Sequence, residues 1–381
     1  MDPDFLENPY PKYRELREEH PVYFHEGMKS WVVSRYDACH QVVRDSPAFS
    51  LDFRKIGVPE PPSMVSIQTT DAPEHTGVRR VLAAALRTVD IAAVGRDVGR
   101  RAENLLADRA DLSTIDLVNE FSIPLAVEAT SSMLGAVNFD EEFEELSAAI
   151  RRSMNSGLDP DAQGPGYDAR AELTLFIADW YDKADSAFVR ALKQEVAGSG
   201  VSKDLLFNSL RALVLGGIIS NQRNIALSLH TVLSHDGLLR RYREIDNRTR
   251  AINELIRFSG PFQVQTRACV EDVDIEGQRI RAGDTVIALI AAAHRDPRQF
   301  DDPDTLVLDR HPNPHLGFSL GVHVCIGARV AIRSCDHALE AMSRRFPDSF
   351  VSSAPVVEQN PTMRGYQTLG AQLVAGFDSL H

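Results

Sequence analysis

The sequence predicts a mainly α-helical protein of the α+β class, with a helical bulk, small β-sheets and a single domain over residues 1–381. Apolar residues recur at helical spacing over long stretches of the chain, for example 72–112 and 202–233. Short runs rich in β-branched residues fall at 22–33 and after Arg257. Neither a repeat nor a change of composition marks a boundary, so we expect one domain.

The N-terminal part of the chain is expected to form a helix and a hairpin. Residues 10–20 begin with a proline suited to a first helical turn and carry charges at helical spacing. Two β-like runs, 22–24 and 30–33, flank a turn at Gly27, which predicts paired strands. The proline-rich stretch 48–70 has no periodicity and is expected to be a long loop, a feature that is often functional in compact proteins.

The middle of the chain is expected to be helical. A helical pattern runs from 72 to about 112, and a mostly buried helix over 117–134 is expected to stop at Gly135. An acidic, amphipathic helix is expected to start at Asn138.

A loop rich in Pro, Gly and Asp is expected over 156–167, and Ser202 is placed to cap a long helix that ends near Leu233. Beyond it, short strands are predicted at 264–268, 273–276 and 285–289, because turn residues separate these runs.

Length and charge exclude several classes of protein. At 381 residues the chain is long enough to bury a large cofactor. A net charge of -13 with an isoelectric point near 5.4 argues against nucleic-acid binding, which needs a basic excess. The four cysteines form no CxxC pair, which argues against a disulfide framework or a zinc site. No secretory signal or run of ~20 apolar residues is present, so a cytoplasmic location without a membrane anchor is expected.

The stretch 315–329, His-Leu-Gly-Phe-Ser-Leu-Gly-Val-His-Val-Cys-Ile-Gly-Ala-Arg, sets one cysteine in a well-specified setting. Gly321 and Gly327 leave room for the backbone to wrap the sulfur of Cys325 and to aim N–H groups at it. A helix is predicted from Ala328, and the positive end of its dipole favours a thiolate. A lone free cysteine is more often an inert buried thiol, but this setting predicts a metal ligand.

The pattern Phe-x-x-Gly-x-His-x-Cys-x-Gly, formed by Phe318, Gly321, His323, Cys325 and Gly327, resembles the haem-binding loop of the cytochrome P450 family. The resemblance covers nearly the whole chain. It implies the fold of that family, with a long central helix over the haem. It also implies haem b as cofactor, with Cys325 as the axial ligand of the iron. The expected activity is that of a soluble, bacterial-type haem-thiolate monooxygenase using O₂.

The resemblance assigns four side chains to the two haem propionates, which need cationic or N–H donors. His75 and Arg79 are four residues apart, as on the family's propionate-binding helix. Arg267 and His323 match the two other contacts of the family. Each residue alone would more often be a solvated charge or a satisfied histidine, but their joint placement favours a haem site.

Glu254 and Arg257 are three residues apart on a predicted helix, an ordinary spacing for an ion pair. In the family such a pair is buried and held by a further basic residue, and this fixes the loop that carries the thiolate. Thr305 and Leu306 stand where an Arg-Phe is usual. Arg310 is the nearest substitute and is assigned that structural role.

The long helix departs from the family where it is expected to cross the haem. The family usually carries Ala/Gly-Gly-x-acid-Thr there, and the acid and the alcohol relay protons. In this chain the glycines Gly216 and Gly217 match, while Ile219 replaces the acid and Ser220 the threonine. The glycines are expected to thin the helix for oxygen or substrate. Ser220 is assigned to the oxygen side, although its hydroxyl could instead bond back to its own helix.

The substrate pocket is expected to be apolar, and the resemblance places the loop 48–70 over the substrate and makes 156–167 a lid. No basic cluster stands out near the matched motifs, so a small or medium-sized, mostly apolar substrate is favoured. We expect the protein to act in secondary metabolism. The pocket candidates are Met64, Ile67, Ile218, Ile219, Phe262 and Val264.

The resemblance implies a ferredoxin and a ferredoxin reductase as electron donors, which Arg329 and Arg333 could meet through complementary charge. Because Ile219 removes the usual acid, two alternatives stay open. One is a non-standard reaction such as coupling, dealkylation or peroxide-driven oxidation. The other is a haem-containing binding protein without oxygenase turnover.

Overall fold

The protein is mainly α-helical with small β-sheets, as the sequence predicts. The computed structural model describes residues 3–135, 139–154 and 160–376. In these ranges the helices are α1 (Pro3–Glu7), α2 (Tyr10–Glu19), α3 (Tyr36–Arg44), α4 (Glu74–Leu86), α5 (Ile91–Ala107), α6 (Ile123–Leu134), α7 (Glu141–Ser153), α8 (Gln163–Lys183), α9 (Ala187–Val196), α10 (Lys203–Leu215), α11 (Asn221–Leu233), α12 (Leu238–Arg241), α13 (Arg248–Ser259), α14 (Ile290–Ala293) and α15 (Ala328–Arg345). The strands are β1 (Val22–His25), β2 (Ser30–Val33), β3 (Phe49–Ser50), β4 (Thr114–Asp116), β5 (Gln265–Cys269), β6 (Val273–Ile275), β7 (Gln278–Ile280), β8 (Thr285–Ala288), β9 (Phe350–Val351), β10 (Val356–Val357), β11 (Tyr366–Thr368) and β12 (Gly370–Gln372).

The long central helix is built from α10 and α11, joined by a π-helical turn over Gly216–Ser220. It begins where the sequence predicts, because the hydroxyl of Ser202 accepts a hydrogen bond from the N–H of Leu205 at 3.2 Å. It ends at Leu233, also as predicted. Most of its side chains are buried, so it runs through the main apolar core.

The helical pattern predicted over 72–112 is confirmed, and two helices, α4 and α5, share this region. Asp90 interrupts the helical pattern: its side chain accepts hydrogen bonds from the N–H groups of Ala92 and Ala93 at 2.9 and 3.1 Å. Such a cap starts a new helix, since it satisfies N–H groups that have no partner within the first turn. The chain therefore changes direction between α4 and α5.

Two other helix boundaries differ from prediction. The helix expected over 117–134 opens with a π-helical turn, Leu117–Ser122, before α6 begins. The acidic helix starts at Glu141, capped by Asp140, and its expected start at Asn138 lies outside the described residues.

The loop predicted over 156–167 is only partly described. Residues 156–159 lie outside the described ranges, Pro160–Ala162 form a 3-10 turn, and α8 already begins at Gln163. The last part of the expected loop is therefore helical.

A five-stranded sheet has the order β1-β2-β8-β5-β3. The predicted hairpin is present, with Val22 opposite Val33. Strands β2 and β8 are parallel, and β5 runs antiparallel to β8 with Arg267 opposite Val286. Because side chains alternate along a strand, Gln265 and Arg267 share one face of β5. This register fixes the position of Arg267 relative to the cavity described below.

None of the helices in the described ranges has both the length and the apolar character that crossing a lipid bilayer would require.

Candidate active site

A cavity of about 560 Å³ lies between the central helix, strand β5 and the loop that carries Cys325. Its size falls within the roughly 300–1,000 Å³ that is usual for ligand pockets. Apolar side chains line most of it. The described lining residues include four arginines, Arg79, Arg170, Arg211 and Arg267, but neither Asp nor Glu. The cavity is therefore an apolar space with a cationic lining.

The thiol of Cys325 lines this cavity and is accessible from it. Burial raises the pKa of the thiol, while the N–H groups of Gly327 and Ala328 and the charge of Arg79 act in the opposite direction. These two N–H groups come from the start of α15, where the sequence predicts a helix. The sulfur is thus held where donors favour its thiolate form.

Two glycines shape the loop around this cysteine. Gly321 has a φ of +65°, a left-handed backbone conformation that is unfavourable for residues with a Cβ. A Cβ added at this position would also lie 3.1 Å from the carbonyl oxygen of Arg44. A Cβ on Gly327 would meet no atom within 4 Å, because this residue borders the cavity. The N–H of Cys325 donates to the carbonyl of Phe318 at 2.8 Å, which closes the loop.

Three of the side chains predicted to hold the propionates form neither a hydrogen bond nor an ion pair with a carboxylate of the described residues. Arg79 donates to the carbonyl oxygen of Val324 at 2.7 Å, so its guanidinium lies beside the cysteine loop. Arg267 is buried and donates to the carbonyl of Thr266 at 3.0 Å and to the side-chain oxygen of Gln265 at 2.9 Å. Burial lowers the pKa of Arg267 to about 10.

His75 is the third of these side chains, and its Nε2 is buried without a hydrogen-bond partner. Burial lowers the pKa of His75 to about 4, and the charges of His323 and Arg79 add to this effect. A buried polar atom without a partner is costly, and an anion at this place would relieve that cost.

His323, the fourth predicted contact, is paired with a carboxylate of the chain itself. Its Nε2 lies 2.9 Å from Oδ1 of Asp71, and its ring centre lies 4.1 Å from that of His75. Burial works to raise the pKa of Asp71, but hydrogen bonds from His323, Lys55 and Ser50 outweigh it and hold that pKa below its usual range. Asp71 was not among the predicted site residues. It precedes His75 by four residues, but its partner His323 is distant in sequence, so no local pattern indicates the contact.

Glu254 and Arg257 form a fully buried, bidentate ion pair, with both N···O distances 2.7 Å. Arg257 also donates to the carbonyls of His294 and Pro303 at 2.7 and 2.8 Å. Arg310 lies 3.1 Å from both oxygens of Glu254, the position for which the sequence analysis selected it. The segment before the cysteine loop is thereby attached to α13.

The distal residues line the cavity, but their contacts differ from one another. Ser220 borders the cavity, yet its hydroxyl donates to the carbonyl of Gly216, so the bond back to its own helix is present. A Cβ on Gly217 would lie 2.7 Å from Oγ1 of Thr130 on α6. A glycine at this position therefore allows the central helix to pack closely against α6. A Cβ on Gly216 would meet nothing within 4 Å. Ile219 lines the cavity where the family carries an acid.

The residue that follows Ser220 is a further polar side chain of the cavity lining. Asn221 lines the cavity and is 3% exposed, and neither polar atom of its side chain has a hydrogen-bond partner. An amide in this state can donate to and accept from a bound molecule.

Four of the six predicted pocket residues, Ile67, Ile219, Phe262 and Val264, line the cavity. The structure does not place Met64 and Ile218 there. Ile218 is buried in the main core because neighbouring positions on a helix point to different faces. Met64 lies in a 3-10 turn, and its carbonyl accepts a hydrogen bond from Thr69.

The expectation that no basic cluster lies near the pocket is wrong. Arg170 and Arg211 both line the cavity, although their segments are far apart in sequence from the cysteine loop. The sequence gives a weak indication that Arg211 is buried, because it is the one charged residue within the mostly apolar stretch 205–215, Leu-Leu-Phe-Asn-Ser-Leu-Arg-Ala-Leu-Val-Leu.

The residues present fit the haem that the sequence pattern implies. A thiol faced by N–H donors borders the cavity, and His75, Arg79 and Arg267 lie around it without a direct hydrogen bond or ion pair to a described carboxylate, although the charge of Asp71 acts on His75 and Arg267. Isolated buried cations are unfavourable, so this set is suited to a group that brings its own carboxylates.

Known proteins resemble the chain over most of its length. A family model described as "Cytochrome P450" matches residues 248–369. The cytochrome P450 monooxygenase PikC of Streptomyces venezuelae is 31% identical over 96% of this chain and 91% of that protein. Nocardicin C N-oxygenase of Nocardia uniformis is 30% identical over 93% and 92% of the two chains. The structure of the bacillaene polyketide synthase cytochrome P450 PksS of Bacillus subtilis superposes with a TM-score of 0.85, at 26% identity over 98% of both chains.

Proposed function

The chain belongs to the cytochrome P450 family, and from this we propose how its own residues serve the reaction of a haem b monooxygenase. The protein is an oxidoreductase of this family, and its cofactor is haem b. We assign the whole chain, 1–381, to one P450 domain. Its bound iron would supply the activation of O₂, with electron donation from a thiolate ligand.

Cys325 is the proposed iron ligand. The observation that carries this assignment is the accessible thiol on the cavity wall, faced by the N–H groups of Gly327 and Ala328. These donors favour a thiolate without adding a side chain that would block the cavity. Phe318, which also lines the cavity, covers one side of the loop.

The propionates are assigned to His75, Arg79, Arg267 and His323. The support for this is the unpartnered Nε2 of His75 and the two guanidiniums that bond only to neutral oxygens of described residues. Asp71 holds the ring of His323 and is a positioning residue. Arg310 and Arg257 position the segment before the cysteine through Glu254.

On the oxygen side, Ser220 and Asn221 are the proposed polar groups, and Gly216 and Gly217 keep this part of the helix slender. The hydroxyl of Ser220 donates to Gly216, which leaves its oxygen free to accept a hydrogen bond from water or from a ligand. The amide of Asn221 can then hold a water molecule beside it. Ile219 has no proton to give, so proton delivery rests on these two residues and on ordered water.

The proposed substrate is a small or medium-sized organic molecule with a mostly apolar body, which suits the apolar lining that includes Ile67, Phe262 and Val264. A role in secondary metabolism is proposed because PksS is named as a polyketide biosynthesis enzyme. The cytoplasm stays the predicted location.

A small acidic ferredoxin with its reductase is the proposed electron source. Beside Cys325, the side chains of Val322 and Val324 are 52% and 40% exposed, and Arg329 is exposed next to them. An apolar patch bordered by cations fits a transient, charge-steered contact with an acidic protein. Arg333 is half exposed but lies 3.6 Å from Asp336, which reduces its availability.

A second candidate function is favoured by Ile219 and by the internal bond of Ser220. Without the usual acid, the protein could carry out coupling, dealkylation or peroxide-driven oxidation, or bind a ligand without turnover. Product formation should therefore be assayed with a ferredoxin and reductase and separately with peroxide. Ligand binding without product under both supplies would favour the binding protein.

The absorbance spectrum of the reduced, carbon monoxide-bound protein tests the proposal. We expect a red-shifted Soret band in the wild type and its loss in Cys325→Ser. Cys335→Ala is the matched control, because Cys335 is buried in the core away from the cavity and its loss should leave the band in place. An unshifted band in the wild type, or an unchanged band in Cys325→Ser, would refute the assignment.

A further inference from the structure

The two arginines that the propionate assignment does not use lie together at one part of the cavity. Arg211 belongs to α10 and Arg170 to α8, and Nη1 of Arg211 donates to the carbonyl oxygen of Arg170 at 2.9 Å. Both line the cavity. The pair comes from other elements than Arg79 and Arg267, which lie on α4 and β5. The cavity therefore has a second cationic region, formed independently of the first.

Neutral oxygens are the described hydrogen-bond acceptors of both side chains. Arg211 is 4% exposed, and it donates to the amide oxygen of Asn208 at 3.0 Å and to the carbonyl of Ser63 at 2.7 Å. Arg170 donates to the hydroxyl of Ser153 at 2.7 Å and to the carbonyl of Gly166 at 3.0 Å. Among the described residues no carboxylate accepts from either guanidinium.

A purely structural role explains the hydrogen bonds but not the charges. Holding carbonyl and hydroxyl oxygens requires N–H donors, which an amide side chain supplies without a buried cation. Arg211 is buried and Arg170 is partly buried, so the two neighbouring cations repel each other, and a buried cation is unfavourable without a counter-ion. Burial lowers the pKa of Arg211 to about 9, and the charge of Arg170 adds to this effect. A bound anion would remove the imbalance.

We propose that Arg170 and Arg211 bind an anionic group of the substrate, a carboxylate on an otherwise apolar body. This inference rests on the proposed function and specifies its substrate class. A guanidinium donates charge-assisted hydrogen bonds to a carboxylate, and both arginines can contribute donors to the same carboxylate. Leu213, Leu215 and Ile219 line the cavity further along the central helix, where the apolar body would lie.

The position of the pair also sets the length of the body. Arg211 precedes Ser220 by nine positions, which is roughly 13 Å of helix at about 1.5 Å per residue. A substrate anchored at Arg211 therefore reaches the oxygen side only if a chain or ring system of comparable length separates its carboxylate from the oxidised carbon.

Decanoate and dodecanoate are suitable probes, each with its alcohol as the uncharged counterpart. Binding is measured by the ligand-induced Soret shift of the holoenzyme and by isothermal titration calorimetry. We expect the wild type to bind at least one carboxylate about tenfold or more tightly than its alcohol, because charge-assisted hydrogen bonds form only with the anion. Equal affinities within both pairs would overturn the inference.

Arg170→Gln is the first variant, because Arg170 is partly exposed and makes few internal contacts. It should weaken carboxylate binding about tenfold or more and leave the alcohol unchanged, while Arg170→Lys should restore part of the loss. Arg152→Gln is the matched control, since Arg152 is exposed and does not line the cavity. If Arg170→Gln weakens both ligands equally, or neither, the inference is wrong.

Two readouts keep this inference apart from the proposed function. The carbon monoxide spectrum reports the thiolate ligand, and calorimetry reports anion binding whatever the iron ligand is. A normal spectrum without preference for the carboxylates refutes the anion site and leaves the P450 assignment intact. An abnormal spectrum with Arg170-dependent carboxylate binding supports the anion site and refutes the iron-ligand assignment.

Discussion

Nε2 of His323 lies 2.9 Å from Oδ1 of Asp71, a residue 252 positions earlier in the chain. The contact joins the cysteine loop to the start of α4, and Lys55 binds the other carboxylate oxygen at 2.8 Å. Because the carboxylate accepts the hydrogen bond of the Nε2–H group, it fixes the orientation of the imidazole ring.

Asp71→Asn should lower the free energy of unfolding by about 1–3 kcal/mol, because the buried hydrogen bonds to a charged acceptor are weakened. Urea denaturation of the apoprotein measures this. Glu74→Gln is the control, because Glu74 is exposed and its pair with Arg54 should contribute less than about 1 kcal/mol. Equal losses in both variants would show that the contact with His323 does not stabilise the fold.

Arg79→Gln should speed the loss of haem to an excess of a haem-binding acceptor protein. The variant removes a charge-assisted hydrogen bond to a propionate, an effect of about tenfold or more. Arg80→Gln changes the neighbouring, exposed arginine of the same helix and should leave the rate unchanged. The propionate assignment of Arg79 fails if both variants release haem at the wild-type rate.

The two glycines of the central helix should respond in opposite directions to alanine. Gly217→Ala places a Cβ 2.7 Å from Oγ1 of Thr130 and should destabilise the protein by about 1–3 kcal/mol. Gly216→Ala meets no atom within 4 Å and should stabilise the helix by up to about 1 kcal/mol. Thermal and urea denaturation measure both variants. Equal effects would contradict the distinction between packing and cavity glycines.

Ile219→Glu should change the amount of peroxide released per substrate consumed, because it restores an acid on the oxygen side of the cavity. Ile219→Gln has a similar shape without the acid and is the control. The carbon monoxide spectrum verifies that both variants are folded. Peroxide yields identical to wild type in Ile219→Glu would show that residue 219 does not lie over the iron.

Stability should fall as the pH drops from about 6.5 towards 4. Burial lowers the pKa of His315 to about 4, an effect that Glu254 opposes and Arg257 strengthens. In this window the unfolded chain binds a proton at His315 that the folded chain excludes, so this residue alone lowers the free energy of unfolding by about 2 kcal/mol between pH 7 and pH 5. Neighbouring His294 is also buried, and its pKa is lowered, so it acts in the same direction.

Urea denaturation at pH 7 and pH 5 measures this loss, and His315→Asn should reduce it. An asparagine oxygen can still accept the N–H of Gly317, which donates to Nδ1 of His315 at 3.2 Å. His20→Asn, at an exposed position, is the control. The explanation is wrong if the loss between the two pH values is as large in His315→Asn as in wild type.

The cysteine loop could be predicted in detail because its geometry is local. The glycines, Phe318 and the start of α15 all lie within fifteen residues of sequence, and each has a backbone or packing reason visible in its residue type. The long helix and its cap at Ser202 were predictable for the same reason. Resemblance to a known family then added the distant cations, which no local pattern indicates.

The contacts that the sequence did not predict join distant segments. Arg170 and Arg211 are 41 residues apart and become neighbours only when α8 packs against α10. Asp71 and His323 meet across most of the chain. The helix cap at Asp90 was not predicted for another reason. The apolar pattern continues on both sides of this residue, so it hides the boundary between the two helices.

Arg257 gives the segment 294–310 an unusual source of order. This segment, which is fully described, contains neither helix nor strand, and the carbonyl oxygens of His294, Pro303 and Thr305 converge on one guanidinium. The backbone of this segment therefore surrounds a cation with carbonyl oxygens, in place of the hydrogen bonds of a helix or a strand. The order of this segment therefore depends on that guanidinium, and protection from hydrogen exchange should be lost at all of these residues together when its charge is removed.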